Sequence, residues 1–171
     1  GSIFMVNIPQ KISKISAPMT EKEIMDTASN LFGRKENNLQ EETNISFEKY
    51  KGKKILVVDD DKLNLKVAAR LLKQYNPTLT LVESGIDCIN LIKANQKFDL
   101  ILLDQMMPEL DGISTLHELK KLQDFNIPTI MLTADAIKGK KEEYLKEGFN
   151  DYISKPIEKN ELIRILTKHI K

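Results

Sequence analysis

Short apolar runs alternate with segments of helical spacing from residue 52 to the end of the chain, and this alternation limits the possible folds more than any other feature. Five runs have strand character: KILVV (54–58), LTLV (79–82), DLILL (99–103), PTIMLT (128–133) and DYIS (151–154). Because the apolar residues are largely continuous, the runs are typical of parallel strands covered on both faces. The pattern predicts an α/β fold with a doubly wound five-stranded parallel sheet.

Helices are predicted in the intervals between the strands. Apolar residues at helical spacing favour a helix over residues 62–75. A charged helix is expected at about 137–147 and a final helix at 158–170. Two further helices are expected to begin after the N-cap residues Ser84 and Asp111. We expect the second of these to run to about residue 123, and all crossovers between strands to be right-handed.

The first 50 residues are polar and broken, and form an N-terminal extension with one predicted helix at about 21–32, capped by Thr20. Residues 34–44 have the composition of a solvated linker. A helix of this length is barely stable alone, so its apolar face needs a partner. Three alternatives stay open: a linker helix docked on the main domain, a dimer contact through residues 1–33, or a marginal segment.

Charge and cysteine content exclude several classes of function. Lys and Arg number 26 and Asp and Glu number 25, so neither a nucleic-acid partner nor direct membrane contact is indicated. No apolar run approaches the roughly 20 residues of a membrane span. The only cysteine, Cys88, lies in an apolar helical pattern and is expected to be a buried thiol. We expect a cytoplasmic location, with a membrane anchor left open for a longer parent protein.

Polar residues follow four of the predicted strands, and the fold brings them to one edge of the sheet. Ligands of such sheets bind at the carboxyl ends of the strands. The residues at these ends are Asp59, Asp60 and Asp61, Asp104, Thr133, and Lys155 with Pro156. Crowded carboxylates without histidine or cysteine point to Mg²⁺, or alternatively Mn²⁺. Without the metal, at least one carboxyl group should have a raised pKa.

This set of groups is suited to phosphoryl transfer. A carboxylate beside a metal, a hydroxyl and a lysine can attack phosphorus, while the cations neutralise the equatorial oxygens. Taken singly, each residue has an ordinary explanation, since an aspartate after a strand is usually a turn or a helix cap. For Asp61 we favour the cap of the first helix over metal binding.

Four segments identify a family resemblance: ILVVDDDKLNLKVA, DLILLDQMMPELDG, IPTIMLTADA and GFNDYISKPI. They resemble the receiver domain of two-component response regulators over about residues 53–171. The resemblance implies a flavodoxin-like fold with strand order 2-1-3-4-5. It also implies a phosphohistidine, on a histidine kinase or a phosphotransfer domain, as the partner.

The resemblance assigns roles residue by residue. Asp104 would be the phosphoacceptor, and Asp60, Asp104 and the Met106 backbone carbonyl would bind Mg²⁺ directly. Asp59 would act through metal-bound water. Thr133 would be the switch hydroxyl, and Tyr152 would be the aromatic that swings inward. Lys155 would pair with the phosphoryl group, and Lys155–Pro156 would be a cis peptide.

The rate at which the phosphoryl group is lost is a separate expectation. Met106 and Asp135 fall at positions that tune hydrolysis of the aspartyl phosphate in the family. An apolar Met106 side chain cannot orient water, so we expect slow autodephosphorylation.

The segment GSIFMVNIPQ is similar to the last strand of a histidine-kinase ATPase domain. This resemblance suggests a hybrid sensor histidine kinase, with an ATPase remnant at 1–10, a linker at 11–51 and a receiver at 52–171. We expect the fragment not to be an enzyme beyond self-phosphotransfer and slow autodephosphorylation. No output domain follows residue 171 in this sequence, so the expected role is to pass the phosphoryl group on or to modulate its own kinase.

Two other functions compete with the receiver. A haloacid-dehalogenase-like phosphatase would use Asp59 and Asp61 with Thr133 and Lys155, but it would leave Asp104 unexplained. A degenerate receiver would act only as an interaction module, although all the reactive residue types are present.

Overall fold

The computed structural model of this chain describes residues 50–134 and 140–171, which belong to a unit spanning Thr43–Lys171. The side chains of residues 140 and 141 are not described either. The predicted ATPase remnant, the helix at 21–32, the proposed dimer contacts through residues 1–33 and the hydrolysis-tuning Asp135 all lie outside the described residues.

Five parallel strands form one sheet in the order β2-β1-β3-β4-β5, which confirms the predicted fold and strand order. The strands are β1 (Lys54–Val58), β2 (Thr78–Val82), β3 (Leu100–Asp104), β4 (Thr129–Thr133) and β5 (Asp151–Ser154). Their carboxyl ends are level, because Val58 pairs with Leu103 and Asp104 pairs with Leu132. The register also places Thr133 beside Ser154.

Five helices connect the strands within the described residues: α1 (Lys62–Lys73), α2 (Gly85–Lys93), α3 (Gly112–Lys120), α4 (Lys140–Glu147) and α5 (Lys159–His169). The three predicted caps that lie within the described residues are confirmed. Asp61, Ser84 and Asp111 accept hydrogen bonds from backbone N–H groups in the first turns of α1, α2 and α3. These contacts satisfy donors that a helix N-terminus otherwise leaves unpaired.

Helix α3 ends at Lys120, earlier than the predicted end near residue 123. The next residues form turns, in which the Leu122 N–H donates to the Leu119 carbonyl at 3.0 Å. Asp124 then adopts a left-handed conformation with φ of 65°. An L-residue in that conformation ends helical geometry, so the apolar spacing extends past the helix itself.

The core has two layers, one on each face of the sheet. Alternate strand residues such as Ile55 and Val57 pack with α1 and α5, while Leu56 and Val58 pack with residues of α2, α3 and α4. Burial of both faces accounts for the continuous apolar runs of the central strands. Cys88 is fully buried in the second layer as a free thiol, as expected. Among the described residues, no helix has the length and apolar character that crossing a membrane requires.

Candidate functional site

Three carboxylates converge at the carboxyl edge of the central strands. Asp59 and Asp60 follow β1, and Asp104 is the last residue of β3. One oxygen from each lies within 4.8 Å of the others, which makes this group able to hold a metal ion. Asp59 and Asp104 are 1% and 5% exposed, whereas Asp60 is exposed to solvent. The site is therefore a buried pair of acids with one open side.

Lys155 supplies the positive charge inside this group. Its Nζ lies 2.7 Å from Asp59 Oδ2 and 2.7 Å from Asp104 Oδ1. Strand β5 and the Lys155 N–H, which donates to the Thr133 carbonyl at 2.7 Å, hold the residue at the edge. The Lys155–Pro156 peptide bond is cis in the structure.

Burial and the contacts between Asp104, Asp59 and Lys155 shift the pKa values of Asp104 and Lys155. Burial raises the pKa of the Asp104 carboxyl, and the Asp59 charge adds to this, while Lys155 offsets only part of the shift. Burial alone would lower the pKa of the Lys155 ammonium, but the hydrogen bonds and charges of Asp104 and Asp59 outweigh burial and raise it. Asp104 thus has the raised pKa expected for at least one carboxyl group, but burial is its largest cause and repulsion by Asp59 is a smaller one.

Asp59 is held in place by two neighbours on the chain. Its Oδ1 accepts hydrogen bonds from the Asp61 N–H at 3.0 Å and from Asn64 Nδ2 at 3.1 Å. The Asp61 carboxylate itself accepts from the Leu63 N–H at 2.7 Å, which is its role as a cap. Sequence reasoning missed Asn64. Its position in the first turn of α1, directly after the acidic run, was the available signal.

Thr133 is fully buried at the end of β4 and lies in a second hydrogen-bonded group. Its Oγ1 donates to Gln105 Oε1 at 2.5 Å and lies 3.1 Å from the Tyr144 hydroxyl. The Tyr144 hydroxyl also donates to Gln105 Oε1 at 3.0 Å. The predicted aromatic, Tyr152, is half-buried, with its ring centroid 6.2 Å from that of Tyr144. Neither Gln105 nor Tyr144 was predicted.

Gly112 keeps the backbone close behind Asp104. A Cβ at this position would lie 2.3 Å from the Asp104 carbonyl oxygen, so any larger residue would displace the end of β3. The Gly112 N–H donates to the Gln105 carbonyl at 3.0 Å and closes the turn. The Met106 side chain in this turn is 74% exposed and contributes little to the core. Its backbone carbonyl as a metal ligand stays a prediction.

The residues present fit a hard divalent cation. Oxygen ligands suit Mg²⁺ or Mn²⁺, and no histidine or cysteine of the described chain belongs to the cluster. Two buried carboxylates share one ammonium, so a bound cation would relieve their mutual repulsion. The donor set and its charge thus agree with the metal predicted from the sequence.

Comparison with known proteins identifies the family to which this arrangement corresponds. The family model of the response regulator receiver domain matches residues 55–167. The chain belongs to this family. This domain is therefore the receiver domain of a two-component phosphorelay.

Similar proteins are histidine kinases of much greater length. Probable histidine kinase 4 of Oryza sativa subsp. japonica is 36% identical over 140 residues, which cover 70% of this chain and 14% of that protein. Signal transduction histidine-protein kinase BarA of Escherichia coli K12 is 33% identical over 155 residues, covering 89% of this chain and 16% of BarA. The chain therefore spans only a small part of these relatives.

A similar solved structure is the receiver domain of the sensor histidine kinase PA1611 from Pseudomonas aeruginosa PAO1, with a magnesium ion coordinated in its active site cleft. It is 37% identical, with a TM-score of 0.62, and the match covers 69% of this chain and 97% of that one. The family match favours the receiver over the phosphatase alternative, which left Asp104 unexplained.

Proposed function

We propose that Asp104 accepts a phosphoryl group from a phosphohistidine in a reaction that depends on Mg²⁺. The observation that carries the proposal is the position of Asp104. It is buried, lies 2.7 Å from the Lys155 ammonium, and has one oxygen within 4.8 Å of Asp59 and Asp60 oxygens. A nucleophile held rigidly beside cationic groups is the arrangement that phosphoryl transfer requires.

The reaction exchanges one bond to phosphorus for another. A carboxylate oxygen of Asp104 attacks phosphorus and forms an O–P bond, while the N–P bond breaks and its electron pair returns to the imidazole. Lys155 pairs with the transferred group and Thr133 donates a hydrogen bond to it, after which Tyr152 moves inward. Mg²⁺, held by Asp60, Asp104, the Met106 carbonyl and, through water, Asp59, would neutralise charge on the phosphoryl oxygens.

An exposed apolar face beside the carboxylates suits the partner that brings the phosphohistidine. Leu63 and Val67 of α1 are 65% and 43% exposed. Together with Asn64, Lys155, Pro156 and Ile157 they line a shallow cleft of about 140 Å³. Because Lys155 belongs both to this cleft and to the carboxylate group, a protein docked here would present its histidine to Asp104. Leu63→Asp should therefore slow transfer from a phosphotransfer protein but not from acetyl phosphate.

The parent protein is proposed to be a hybrid histidine kinase, since the relatives that match most of this chain are histidine kinases. In this proposal residues 1–10 end an ATPase domain, 11–51 form a linker and 52–171 form the receiver. The fragment itself performs self-phosphotransfer and slow autodephosphorylation. A cytoplasmic location belongs to the proposal, because the buried free thiol of Cys88 suits a reducing compartment.

Titration with beryllofluoride and Mg²⁺, together with phosphorylation by acetyl phosphate, tests the proposed function. We expect wild type to bind beryllofluoride and to form an acid-stable, hydroxylamine-sensitive phosphoprotein, and Asp104→Asn to do neither. Phosphate release with a half-life of seconds would contradict the slow autodephosphorylation. Equal labelling of wild type and Asp104→Asn would reject Asp104 as the acceptor.

A further inference from the structure

The hydroxyl of Thr133 donates a hydrogen bond within the protein. It donates to Gln105 Oε1 at 2.5 Å, and Tyr144 donates to the same oxygen at 3.0 Å. The Thr133 and Tyr144 oxygens are 3.1 Å apart in buried surroundings. Gln105 follows Asp104 directly, so the acceptor of both hydroxyl groups lies next to the proposed phosphoacceptor.

The number of protons limits what Thr133 can do. A threonine hydroxyl carries one O–H donor, and the side-chain oxygen of a glutamine can accept two hydrogen bonds. Both donors to Gln105 Oε1 are therefore compatible, but Thr133 cannot donate to Gln105 and to a phosphoryl oxygen at once. Any activation step that uses the Thr133 hydroxyl has to break its hydrogen bond to Gln105 first.

We propose that Gln105 and Tyr144 are positioning residues that hold Thr133 in the resting conformation and so oppose activation of the domain. We call the hydrogen-bonded group of Thr133, Gln105 and Tyr144 the resting latch. The inference rests on the proposed function, because it assumes that Thr133 donates to the phosphoryl group on Asp104. Gln105 holds the Thr133 proton, and Tyr144 holds the Gln105 side chain in place.

The latch also connects the site to helix α4 and strand β5. Tyr144 is a 2% exposed residue of α4, and its ring lies 6.2 Å from that of Tyr152 on β5. When Thr133 leaves Gln105, its contact with the Tyr144 hydroxyl is lost. A local change at the end of β4 is thereby passed to α4 and to the proposed moving aromatic.

Substitutions that remove the latch should favour the activated state. Gln105→Met keeps a side chain of similar length but replaces the amide oxygen with a thioether, which is a much weaker acceptor. We expect this variant to bind beryllofluoride about three- to tenfold more tightly than wild type in Mg²⁺. Tyr144→Phe removes only the hydroxyl and should tighten binding by about twofold. Tyr75→Phe is the matched control, because its buried hydroxyl has no partner among the described residues. It should leave the affinity unchanged.

A double-mutant cycle separates the latch from a general effect on the site. In a Thr133→Ala background, Gln105→Met should no longer change beryllofluoride affinity, because there is no hydroxyl to release. The same tightening with and without Thr133 would overturn the latch. Unchanged or weaker binding by Gln105→Met in the presence of Thr133 would overturn it as well.

A measurement on the metal-free chain tests the latch without any phosphoryl mimic. Three-bond couplings of the Thr133 methyl group should show one χ1 rotamer in wild type and averaging in Gln105→Met. Averaging in wild type would overturn the latch. If wild type fails to bind beryllofluoride, the proposed phosphoacceptor function fails, whereas wild-type binding that Gln105→Met does not tighten overturns the latch alone.

Discussion

The two ends of the sheet treat buried carboxylates in opposite ways. At the carboxyl edge, the buried Asp59 and Asp104 both lie 2.7 Å from the Lys155 ammonium. At the amino edge, Asp151 begins β5, is 1% exposed and contacts two cationic side chains, Arg164 at 2.9 Å and Lys168 at 2.7 Å. The His169 imidazole lies 3.4 Å from the same carboxylate. Among residues 50–134 and 140–171, two buried carboxylates contact one cation at the carboxyl edge, whereas one buried carboxylate contacts two cations at the amino edge.

The pKa shifts of the two edges follow this difference. Burial raises the pKa of Asp104, since Lys155 compensates only in part. Burial also acts on Asp151, but hydrogen bonds from Arg164 and Lys168 outweigh it and lower the pKa well below the usual range. The comparison separates a structural carboxylate, which is already paired with cations, from the carboxylate that we propose as the phosphoacceptor.

The largest expected effect is on phosphorylation, from Asp104→Asn. We expect acetyl-phosphate labelling to fall to background, a loss of more than about a hundredfold, because the nucleophile is gone. Since the change also relieves repulsion with Asp59, unfolding in urea should show equal or slightly greater stability at pH 7. Marked destabilisation by Asp104→Asn would mean that the contact between Asp104 and Lys155 outweighs the repulsion from Asp59.

The same change at the other edge should have the opposite outcome. Asp151→Asn removes the charge that Arg164 and Lys168 contact, and we expect a loss of about 2 kcal/mol in the free energy of unfolding. Urea denaturation measures this, with acetyl-phosphate labelling as the control, which should be unchanged. An unchanged free energy of unfolding in Asp151→Asn would show that the contacts of Arg164 and Lys168 with Asp151 do not stabilise the fold.

Most of the fold and most residues of the carboxyl edge could be predicted from the sequence. Continuous apolar runs identify buried parallel strands, and the fold rule then brings Asp59, Asp104, Thr133 and Lys155 to one edge without knowledge of contacts. The cap at Asp61 was also predictable, since capping depends on neighbours along the chain. Local rules and one topological rule were sufficient for these features.

Contacts between ordinary residue types could not be predicted in this way. Gln105 and Tyr144 are 39 positions apart, and neither belongs to a pattern that signals a shared hydrogen bond. Asp151 is only the first residue of a strand until α5 brings Arg164 and Lys168 onto it. The shorter α3 was missed because apolar spacing continues through the turns that follow Lys120. Such features depend on packing between distant segments.

Mg²⁺ binding should stabilise the fold through the carboxyl edge only, by less than the loss expected for Asp151→Asn. Mg²⁺ at ten times its dissociation constant should stabilise wild type by about 1.4 kcal/mol, because only the folded carboxyl edge presents the clustered ligands. Thermal unfolding with and without Mg²⁺ measures this. Asp151→Asn should gain as much as wild type and Asp104→Asn clearly less. An equal gain in all three proteins would assign the metal to another site.

The amino edge should respond to acid. The folded-state pKa of Asp151 lies below its usual value of 3.8, so its contribution is complete above about pH 5, begins to decrease near the unfolded pKa and is lost as the pH falls through the folded-state pKa. The stability difference between wild type and Asp151→Asn should therefore shrink by about 1 kcal/mol between pH 5 and pH 3. Urea denaturation of both proteins at each pH measures it. A difference independent of pH would indicate that charge is not what Asp151 contributes.

The smallest expected effect concerns Asp61, the acid of the carboxyl edge that we assign to structure. Its side chain caps α1 through the Leu63 N–H at 2.7 Å, and it is not a member of the group that can hold a metal. Asp61→Asn keeps a capping oxygen and removes one exposed charge, so Mg²⁺ affinity should change by less than about twofold. Asp60→Asn is the matched comparison, and calorimetric titration should show a much larger loss. Equal losses of Mg²⁺ affinity in Asp60→Asn and Asp61→Asn would make Asp61 a part of the metal site. Asp61 would then bind the metal as well as cap α1.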